Sequence, residues 1–353
     1  MMESMFPDWQ DLTEAQHERW ETVLGALTGA LPARAAGVVV EGEHAAHVAD
    51  RLARALRSTG RPCIRLTSRN PAADEDAWRA ERTTDTVAVA EGTHWREHPP
   101  AGRWDLAVRL RAPGGPARDK ERRGPRPAAE IVVDLADPHW PVVRAVTGRA
   151  GVPEHWYVAE NQAFFAVRAA TWDTRFGDDM PAYAAAIAEA GPPVGGTALD
   201  LGCGTGRALP ALRAAVGSSG RVIGLDVTPQ MLDAVRAAGR DLSATALLLA
   251  DAHRLPLADA SADLIFAAGL INHLNDARGG LSELARVTRA DGHLVLFHPT
   301  GRAALAARHG RVLRPDEPLA EHVLARGLTD SGWRLTRYDD AEHRFFAVAA
   351  RVA

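Results

Sequence analysis

Residues 198–207 read Ala-Leu-Asp-Leu-Gly-Cys-Gly-Thr-Gly-Arg and decide the fold of the C-terminal half of the chain. The apolar run at 198–201 predicts a buried strand, and the sequence at 208–216 predicts a helix. Between them, glycines stand at positions 202, 204 and 206. A strand, a glycine turn and a helix expose backbone N–H groups and a helix N-terminus to one ligand, which glycine lets approach closely because it has no Cβ. The stretch therefore predicts a ligand-binding turn.

Two acidic residues follow this turn at the ends of predicted strands. Residues 221–226, Arg-Val-Ile-Gly-Leu-Asp, predict a strand that ends in Asp226, and residues 247–252, Leu-Leu-Leu-Ala-Asp-Ala, contain Asp251. The dinucleotide fingerprint G-x-G-x-x-G would require a third glycine where Arg207 stands. The glycine spacing and the two acids, in this order, resemble the class I S-adenosylmethionine-dependent methyltransferases. The resemblance covers residue 156 to the C-terminus.

The resemblance implies a Rossmann-like sheet of seven strands, the last inserted antiparallel, with S-adenosylmethionine as cofactor and S-adenosylhomocysteine as product. It implies that Asp226 accepts hydrogen bonds from both ribose hydroxyls, that Asp251 reads the adenine amine and that Met231 packs beside the adenine. The remaining expected cofactor residues are Asp200, Gly202, Cys203, Gly204, Gly206, Val227, Ala252, Ala268 and Trp172.

Residues 155–192 precede the glycine strand and are rich in aromatic side chains. In small-molecule methyltransferases a helical segment at this place covers the cofactor and forms part of the substrate pocket. We therefore expect a helical cap, with Trp172 near the cofactor and Phe176, four residues later, in contact with the substrate. Ordinary helix packing is the alternative for most of the other aromatic residues.

Methyl transfer from a sulfonium is an in-line displacement, for which the protein must orient the nucleophile and exclude water. A general base helps when the acceptor is a hydroxyl or an acidic carbon. His298 and His273 are the candidates, because both follow predicted strands at the edge where α/β sheets bind ligands. A structural or binding role is the alternative for each. Arg302 is a candidate for neutralising an anionic group of the substrate, and a surface arginine is its alternative.

The N-terminal half alternates predicted strands, at 37–41, 62–66, 86–91, 104–110 and 130–135, with helices that include 8–31 and 44–58. Such alternation predicts a parallel sheet. Residues 35–147 resemble the uridine kinase-like P-loop proteins in Val38-Val39-Val40-Glu41-Gly42, Val89-Ala90-Glu91-Gly92, Trp104-Asp105-Leu106 and Val132-Val133-Asp134. We expect an α/β protein of two doubly wound domains, at 1–147 and 155–353, joined by a linker at 148–154.

The turn after Gly42 departs from a phosphate-binding loop, which needs the sequence G-x-x-x-x-G-K-[ST]. Residues 43–48, Glu-His-Ala-Ala-His-Val, contain no second glycine, lysine, serine or threonine, and Glu43 would repel phosphate. The whole chain has one lysine, Lys120, far from this turn. We therefore predict a kinase-shaped domain that has lost phosphoryl transfer.

The composition limits the partners. A net charge of −4 gives no general attraction to nucleic acid or anionic membranes, and no apolar run approaches the ~20 residues that span a bilayer. The two cysteines, Cys63 and Cys203, fit a reducing cytoplasm rather than a disulfide framework. His44 and His47 lack a nearby acid or cysteine that would complete a metal site, so no metal is expected.

The leading interpretation is a cytoplasmic methyltransferase that acts on an oxygen, nitrogen or carbon nucleophile of a small molecule, in specialised metabolism. A non-catalytic regulatory or scaffold protein that binds the cofactor or a nucleotide is the alternative, and a working nucleoside kinase is disfavoured by the missing Gly-Lys-Ser/Thr. The acceptor and the oligomeric state, a homodimer included, stay open at this point.

Overall fold

A computed structural model describes residues 6–34, 36–112, 129–148, 156–239, 243–308 and 312–352. The chain divides into two compact units, Met1–Glu160 and Asn161–Ala353. Apart from Gly148, the predicted linker at 148–154 lies outside the described residues. The domain boundary at that linker therefore stays a prediction.

The described part of the first unit contains one sheet and four helices that precede its last strands. The strands are β1 (Gly37–Glu41), β2 (Cys63–Leu66), β3 (Val87–Glu91), β4 (Leu106–Arg111), β5 (Ala129–Asp134) and β6 (Val142–Gly148). The helices are α1 (Glu14–Gly29), α2 (Ala45–Ser58), α3 (Pro71–Glu81) and α4 (Gly92–Glu97). A fifth helix, α5 (Trp156–Ala166), contains the boundary between the units.

The sheet of the first unit has the spatial order β2-β3-β1-β4-β5-β6. Its first five strands are parallel, as predicted, and β6 pairs antiparallel with β5. Val38 and Val40 of β1 face a core that includes α1 and α2, whereas Val39 faces a second core with Trp78 of α3 and Trp95 of α4. Both faces of the sheet are therefore covered by helices, which is why β1 is apolar without alternation.

Helix α1 begins with a capping box. Thr13 accepts a hydrogen bond from the backbone N–H of Gln16, and the Gln16 side chain accepts one from the backbone N–H of Thr13. The pair satisfies two of the N–H groups that a helix start leaves without intrahelical partners. This explains why the helix begins at Glu14 rather than at residue 8.

The described part of the second unit contains a seven-stranded sheet. Its strands are β7 (Thr197–Leu201), β8 (Arg221–Asp226), β9 (Thr245–Leu249), β10 (Ala262–Ala268), β11 (Thr288–His298), β12 (Trp333–Ala341) and β13 (Arg344–Arg351). Its helices after α5 are α6 (Trp172–Phe176), α7 (Met180–Ala190), α8 (Leu209–Val216), α9 (Pro229–Ala237), α10 (Ala277–Val287), α11 (Arg302–Arg308) and α12 (Glu321–Asp330). Single 3-10 turns lie at Ala169–Thr171 and Ile271–His273.

The second sheet has the spatial order β12-β13-β11-β10-β7-β8-β9. The strands from β7 to β11 are parallel, and β13 lies antiparallel between β11 and β12. The expected seven-stranded architecture with an inserted antiparallel last strand is confirmed. Its carboxyl edge gathers the ends of β7, β8, β10 and β11, each of which carries a predicted site residue.

One strand, β6, is not among the strands that the sequence predicts. Its apolar start at Val142 and Val143 comes shortly before the Gly- and Pro-containing linker, which predicts the end of the domain rather than another strand. Helix α12 begins at Glu321. The Glu317 carboxylate, four residues earlier, forms an ion pair with Arg302 at 3.4 Å, so Glu317 lies in the connection that packs beside α11.

Candidate active site

The glycine turn follows β7 and lies at the carboxyl edge of the sheet. Gly202, Gly204 and Gly206 have φ angles of 68°, 52° and 79°, in the left-handed region that favours glycine. A Cβ on Gly206 would lie 2.8 Å from Leu209 Cδ1, so this glycine permits close packing of α8. At Gly204, no described atom outside the two neighbouring residues lies within 4 Å of the Cβ position. Gly204 therefore borders open space that a ligand can enter.

Asp226, the last residue of β8, is buried beside this turn. The Gly204 N–H donates a hydrogen bond to Asp226 Oδ2 over 2.9 Å, and the Thr228 N–H donates one to Oδ1 over 2.8 Å. Burial raises the pKa of this carboxyl, and the two backbone donors oppose the rise. Because a carboxylate offers about four lone-pair sites, two bonds leave room for further donors. The predicted contact with the ribose hydroxyls fits this geometry.

Asp200, on β7, places a second carboxyl at the base of the turn. It is 2% exposed, and its Oδ2 has no hydrogen-bond partner among the described residues. Burial, with a smaller contribution from the charge of Asp226, raises the pKa of Asp200 to about 8. A buried acceptor without a donor is costly, so this atom marks a position at which a ligand can supply the donor.

Cys203 lies inside the turn and is buried. Burial, followed by the nearby charges of Asp200 and Asp226, raises the pKa of its thiol well above the usual value. A thiol held protonated in this way is a poor nucleophile. Cys203 therefore contributes its backbone to the turn, and no covalent role is suggested.

Asp251 stands two residues after β9 and is held by a histidine that sequence reasoning missed. The Asp251 Oδ1 accepts the backbone N–H of His253 at 3.0 Å and lies 2.9 Å from His253 Nδ1. His253 Nε2 lies 3.0 Å from the carbonyl oxygen of Asp276. The bond to Asp251 raises the pKa of His253. The pair orients the carboxyl that we predict to read the adenine amine, and a histidine two residues after an acid is too common a pattern to reveal this role.

The other predicted cofactor residues surround the same edge. Met231 on α9 is 1% exposed, and Ala252 is buried beside Asp251. The Val227 carbonyl accepts a hydrogen bond from Gln162 Nε2 at 2.9 Å, which fixes the loop after Asp226. Ala268 ends β10.

The predicted cap brings Trp172 and His273 together through one shared aromatic ring. The ring centroid of Phe165 lies 5.7 Å from that of Trp172 and 5.0 Å from that of His273. Asn161 Nδ2 donates to the His273 carbonyl over 3.1 Å. His273 is thus packed edge-on against an aromatic ring, an arrangement that suits positioning. Phe176 ends α6, and its side chain lies outside what the structure describes.

A small cleft of about 40 Å³ lies at the ends of β10 and β11. His298 lines this cleft, and its Nδ1 lies 2.8 Å from the Thr300 carbonyl oxygen and 3.0 Å from the Thr300 backbone nitrogen. The wall is otherwise largely apolar: Leu270, Ile271, Leu296, Phe297, Leu305, Leu319 and Phe345. The structure therefore places His298 in a cleft with a mostly apolar wall, beside the edge that carries the glycine turn.

Arg302 lines the same cleft, but its positive charge is already paired with the carboxylates of Glu317 and Asp340. Its guanidinium lies 3.4 Å from Glu317 Oε2 and 3.3 Å from Asp340 Oδ2, and it donates to the Tyr338 hydroxyl over 3.1 Å. An anionic substrate would have to compete with both carboxylates. The contact of Arg302 with an anionic group of the substrate stays a prediction.

Among the described residues, no group of three or more His, Cys, Asp or Glu side chains is placed to hold a metal ion. In the same part of the chain, every helix is too short or too polar to cross a membrane.

Comparison with known proteins identifies the class of protein to which this chain belongs. A family model described as a methyltransferase domain matches residues 199–296. The demethylmenaquinone methyltransferase of Roseiflexus sp. (strain RS-1) is 31% identical, over 43% of this chain and 76% of its own length. The chain therefore belongs to the S-adenosylmethionine-dependent methyltransferases.

One further curated relative and one solved structure also match this chain. The aklanonic acid methyltransferase DauC of Streptomyces sp. (strain C5) is 33% identical, over 32% of this chain and 52% of its own length. A crystal structure of a SAM-dependent methyltransferase from Aquifex aeolicus shares 25% identity, covers 51% of this chain and 96% of its own, and has a TM-score of 0.44. The chain spans about half or less of the length of six of the curated relatives that it matches.

The residues of this edge fit S-adenosylmethionine. The unpartnered Asp200 Oδ2 suits an ammonium donor, and the remaining acceptor capacity of Asp226 suits a diol. The open space at Gly204 allows a ligand to approach the backbone. The cofactor expected from the sequence is confirmed as that of the family, and the contacts of individual residues remain predictions.

Proposed function

We propose that this chain transfers the methyl group of S-adenosylmethionine to an oxygen, nitrogen or carbon nucleophile of a small molecule in specialised metabolism. The cleft beside the cofactor edge carries the proposal, because its apolar wall and single histidine suit a small organic acceptor. A relative whose name refers to aklanonic acid, an organic acceptor, adds support.

The residues of the chain would divide the work as follows. Asp226, Asp251 and the glycine turn hold the cofactor, and the cofactor supplies a methyl group activated by its sulfonium charge. The apolar wall of the cleft orients the acceptor and excludes water, which can contribute several kcal/mol to lowering the barrier. His298 takes a proton from the nucleophilic atom of the acceptor.

The hydrogen bond of His298 decides whether it can act as a base. If Nδ1–H donates to the Thr300 carbonyl at 2.8 Å, the neutral ring carries its lone pair on Nε2. If Nδ1 instead accepts the Thr300 N–H at 3.0 Å, Nε2 carries the proton. We propose the first tautomer for the reactive protein.

Replacing His298 with alanine is expected to lower turnover by roughly 10²- to 10⁴-fold, the usual contribution of a general base. The affinity for S-adenosylhomocysteine should stay unchanged, because the cofactor edge is intact. The measurement is transfer of labelled methyl groups to a panel of phenols, carboxylic acids, amines and activated methylene compounds, with calorimetry for the affinity.

His322 on α12 is an exposed histidine and provides the matched control. The variant His322→Ala should retain full turnover. Full activity of His298→Ala would remove His298 as the base. In that case His273→Ala tests the second candidate. If wild-type protein methylates no member of the panel, the proposed acceptor class is wrong.

For the first unit, we propose a degenerate uridine kinase-like P-loop domain that serves as a scaffold, dimerisation surface or substrate-docking module. The turn between β1 and α2 supports this proposal, because it has the strand–turn–helix context of a P-loop. Gly42 has a φ of 115°, and a Cβ there would lie 2.7 Å from the Leu110 carbonyl oxygen. The turn is therefore tightly closed against β4.

Two carboxylates at the carboxyl edge of the first sheet argue against phosphate binding. Glu41 and Glu91 are the last residues of β1 and β3, and both are buried. Arg96 forms an ion pair with Glu41 at 3.4 Å, and Arg65 forms one with Glu91 at 2.6 Å. The charges of Arg65 and Arg96 are thus matched by these two carboxylates, and a polyphosphate would meet buried acidic side chains.

Calorimetry with ATP and Mg²⁺ is expected to detect no binding to the full chain. The same sample should bind S-adenosylhomocysteine at micromolar level, which shows that the protein is folded. Tight binding of ATP would contradict the proposed loss of phosphoryl transfer.

The proposal also includes a small molecule, rather than nucleic acid or a membrane, as the partner, and a cytoplasmic location. The net charge of −4 and the two cysteines support these points. A homodimer is compatible with the proposal and is tested by the mass of the protein in solution.

A further inference from the structure

Arg207 stands directly after the glycine turn and is 6% exposed. Its Nε donates to Asp173 Oδ1 over 3.1 Å, and its Nη1 donates to Asp179 Oδ1. Its Nη2 donates to the carbonyl oxygens of Asp173 at 3.1 Å and Gly177 at 3.2 Å. All three nitrogens of this guanidinium therefore donate hydrogen bonds to residues within 173–179.

A second contact joins this segment to the turn itself. The Thr205 hydroxyl lies 2.5 Å from Asp173 Oδ1, the same oxygen that Arg207 contacts. Thr205 is buried between Gly204 and Gly206. Asp173 is consequently bonded both to the turn and to the residue that follows it.

Several residues of the segment 172–179 are exposed. Helix α6 has five residues and ends directly before Gly177, which has a φ of 68°. Thr174, Arg175, Gly177 and Asp178 are exposed. Segments with many exposed residues open locally at a low free-energy cost. The two ion pairs with Arg207, whose own side chain is buried, restrain the position of this segment.

We infer that Arg207 is a positioning residue, which holds residues 172–179, and with them Trp172, over the glycine turn. We call the contacts of Arg207 with this segment the latch. The inference rests on the cofactor site and is independent of the acceptor. A lysine cannot replace this arginine fully, because an ammonium lacks the planar fork that reaches two carboxylates and two carbonyls together. The dinucleotide fingerprint places a glycine here, so the arginine serves a different purpose from close helix packing.

Tryptic cleavage after Arg175 measures whether the latch is closed, because a protease cuts a segment only when it opens locally. In Arg207→Met without cofactor, cleavage at this site is expected to be about tenfold faster or more than in wild type. Arg207→Lys should lie between the two. Asp179→Asn, which keeps the shape and removes one charge, should shift the rate in the same direction, and it decides the question if Arg207→Met does not fold.

Calorimetry with S-adenosylhomocysteine tests the link to the cofactor site. If the variant leaves the segment in place in roughly a tenth of the molecules, the apparent Kd rises about tenfold. Arg213→Met on α8 is the matched control, because Arg213 donates to the Gly220 carbonyl over 2.9 Å and does not contact residues 172–179 through any bond recorded in the described residues. It should leave both measurements unchanged.

Wild-type values for cleavage and affinity in Arg207→Met would overturn the inference, as would equal acceleration of cleavage throughout the second unit. If wild-type protein fails to bind S-adenosylhomocysteine, the cofactor contacts proposed above are wrong. The cleavage rate without cofactor still decides the latch in that case.

Discussion

Replacement of Asp226 by alanine is expected to weaken the binding of S-adenosylhomocysteine by roughly 10²-fold or more. Two contributions combine. A hydrogen bond to a charged group contributes about 1.5–3 kcal/mol, and the ribose would lose two of them. The backbone N–H groups of Gly204 and Thr228 would also lose their acceptor, so the turn would lose the carboxylate that orders it. Calorimetric titration measures the affinity.

Asp226→Asn separates these two contributions. An amide offers one acceptor oxygen, so it can satisfy one of the two backbone donors and fewer ribose hydroxyls. Its affinity should fall between those of wild type and Asp226→Ala. The matched control is Asp233→Ala on α9, whose exposed carboxylate pairs with Arg236 and should not affect binding. An affinity of Asp226→Ala equal to that of wild type would refute the predicted ribose contact.

The affinity for S-adenosylhomocysteine is expected to rise with pH between about 6 and 8. Because burial raises the pKa of Asp200 to about 8, this carboxyl is largely protonated at neutral pH in the cofactor-free protein. An ammonium donor at Oδ2 favours the ionised form, so binding should release a proton. Below the pKa, the affinity should fall towards about tenfold per pH unit.

Asp200→Asn should remove this pH dependence and lower the affinity at pH 8. Proton release is checked by calorimetry in buffers of different ionisation enthalpy, where only wild type should show a buffer-dependent heat. A flat affinity between pH 6 and 8, with no buffer dependence, would contradict the assignment of the ammonium to Asp200.

The free energy of unfolding of the cofactor-free protein should also depend on the protonation of Asp200, and the direction of this dependence can be stated. A folded-state pKa above the unfolded value near 4 means that the folded protein holds the proton more tightly. This contribution to stability is fully present below pH 4 and is lost as the pH rises towards 8. The difference in the free energy of unfolding between wild type and Asp200→Asn should therefore depend on pH over that window, as measured by urea titration.

The sequence contained most of the information about the cofactor edge, because local geometry produces that edge. Three glycines at alternate positions have positive φ angles, and an acid at a strand end faces the neighbouring turn whenever the strands are parallel and adjacent. Both relations follow from short stretches of chain. For this reason the strand, turn and helix at residues 197–216 were predicted nearly to the residue.

The partners of long side chains could not be predicted in this way. Arg207 reaches carboxylates about 30 residues earlier, and Arg302 pairs with Asp340 on β12. Their partners become neighbours only when helices and strands pack, so the spacing of charges in sequence carries no signal. The bond between His253 and Asp251 is local, yet it depends on how β9 ends, and a sequence pattern does not specify that ending.

A crystal structure of the full chain with S-adenosylhomocysteine tests the central claim most directly. The account predicts that the ribose hydroxyls bond to Asp226, that the ammonium lies on Asp200 Oδ2 and that the sulfur faces the cleft lined by His298. Density for the compound elsewhere on the protein, or a glycine turn filled by protein side chains, would contradict it.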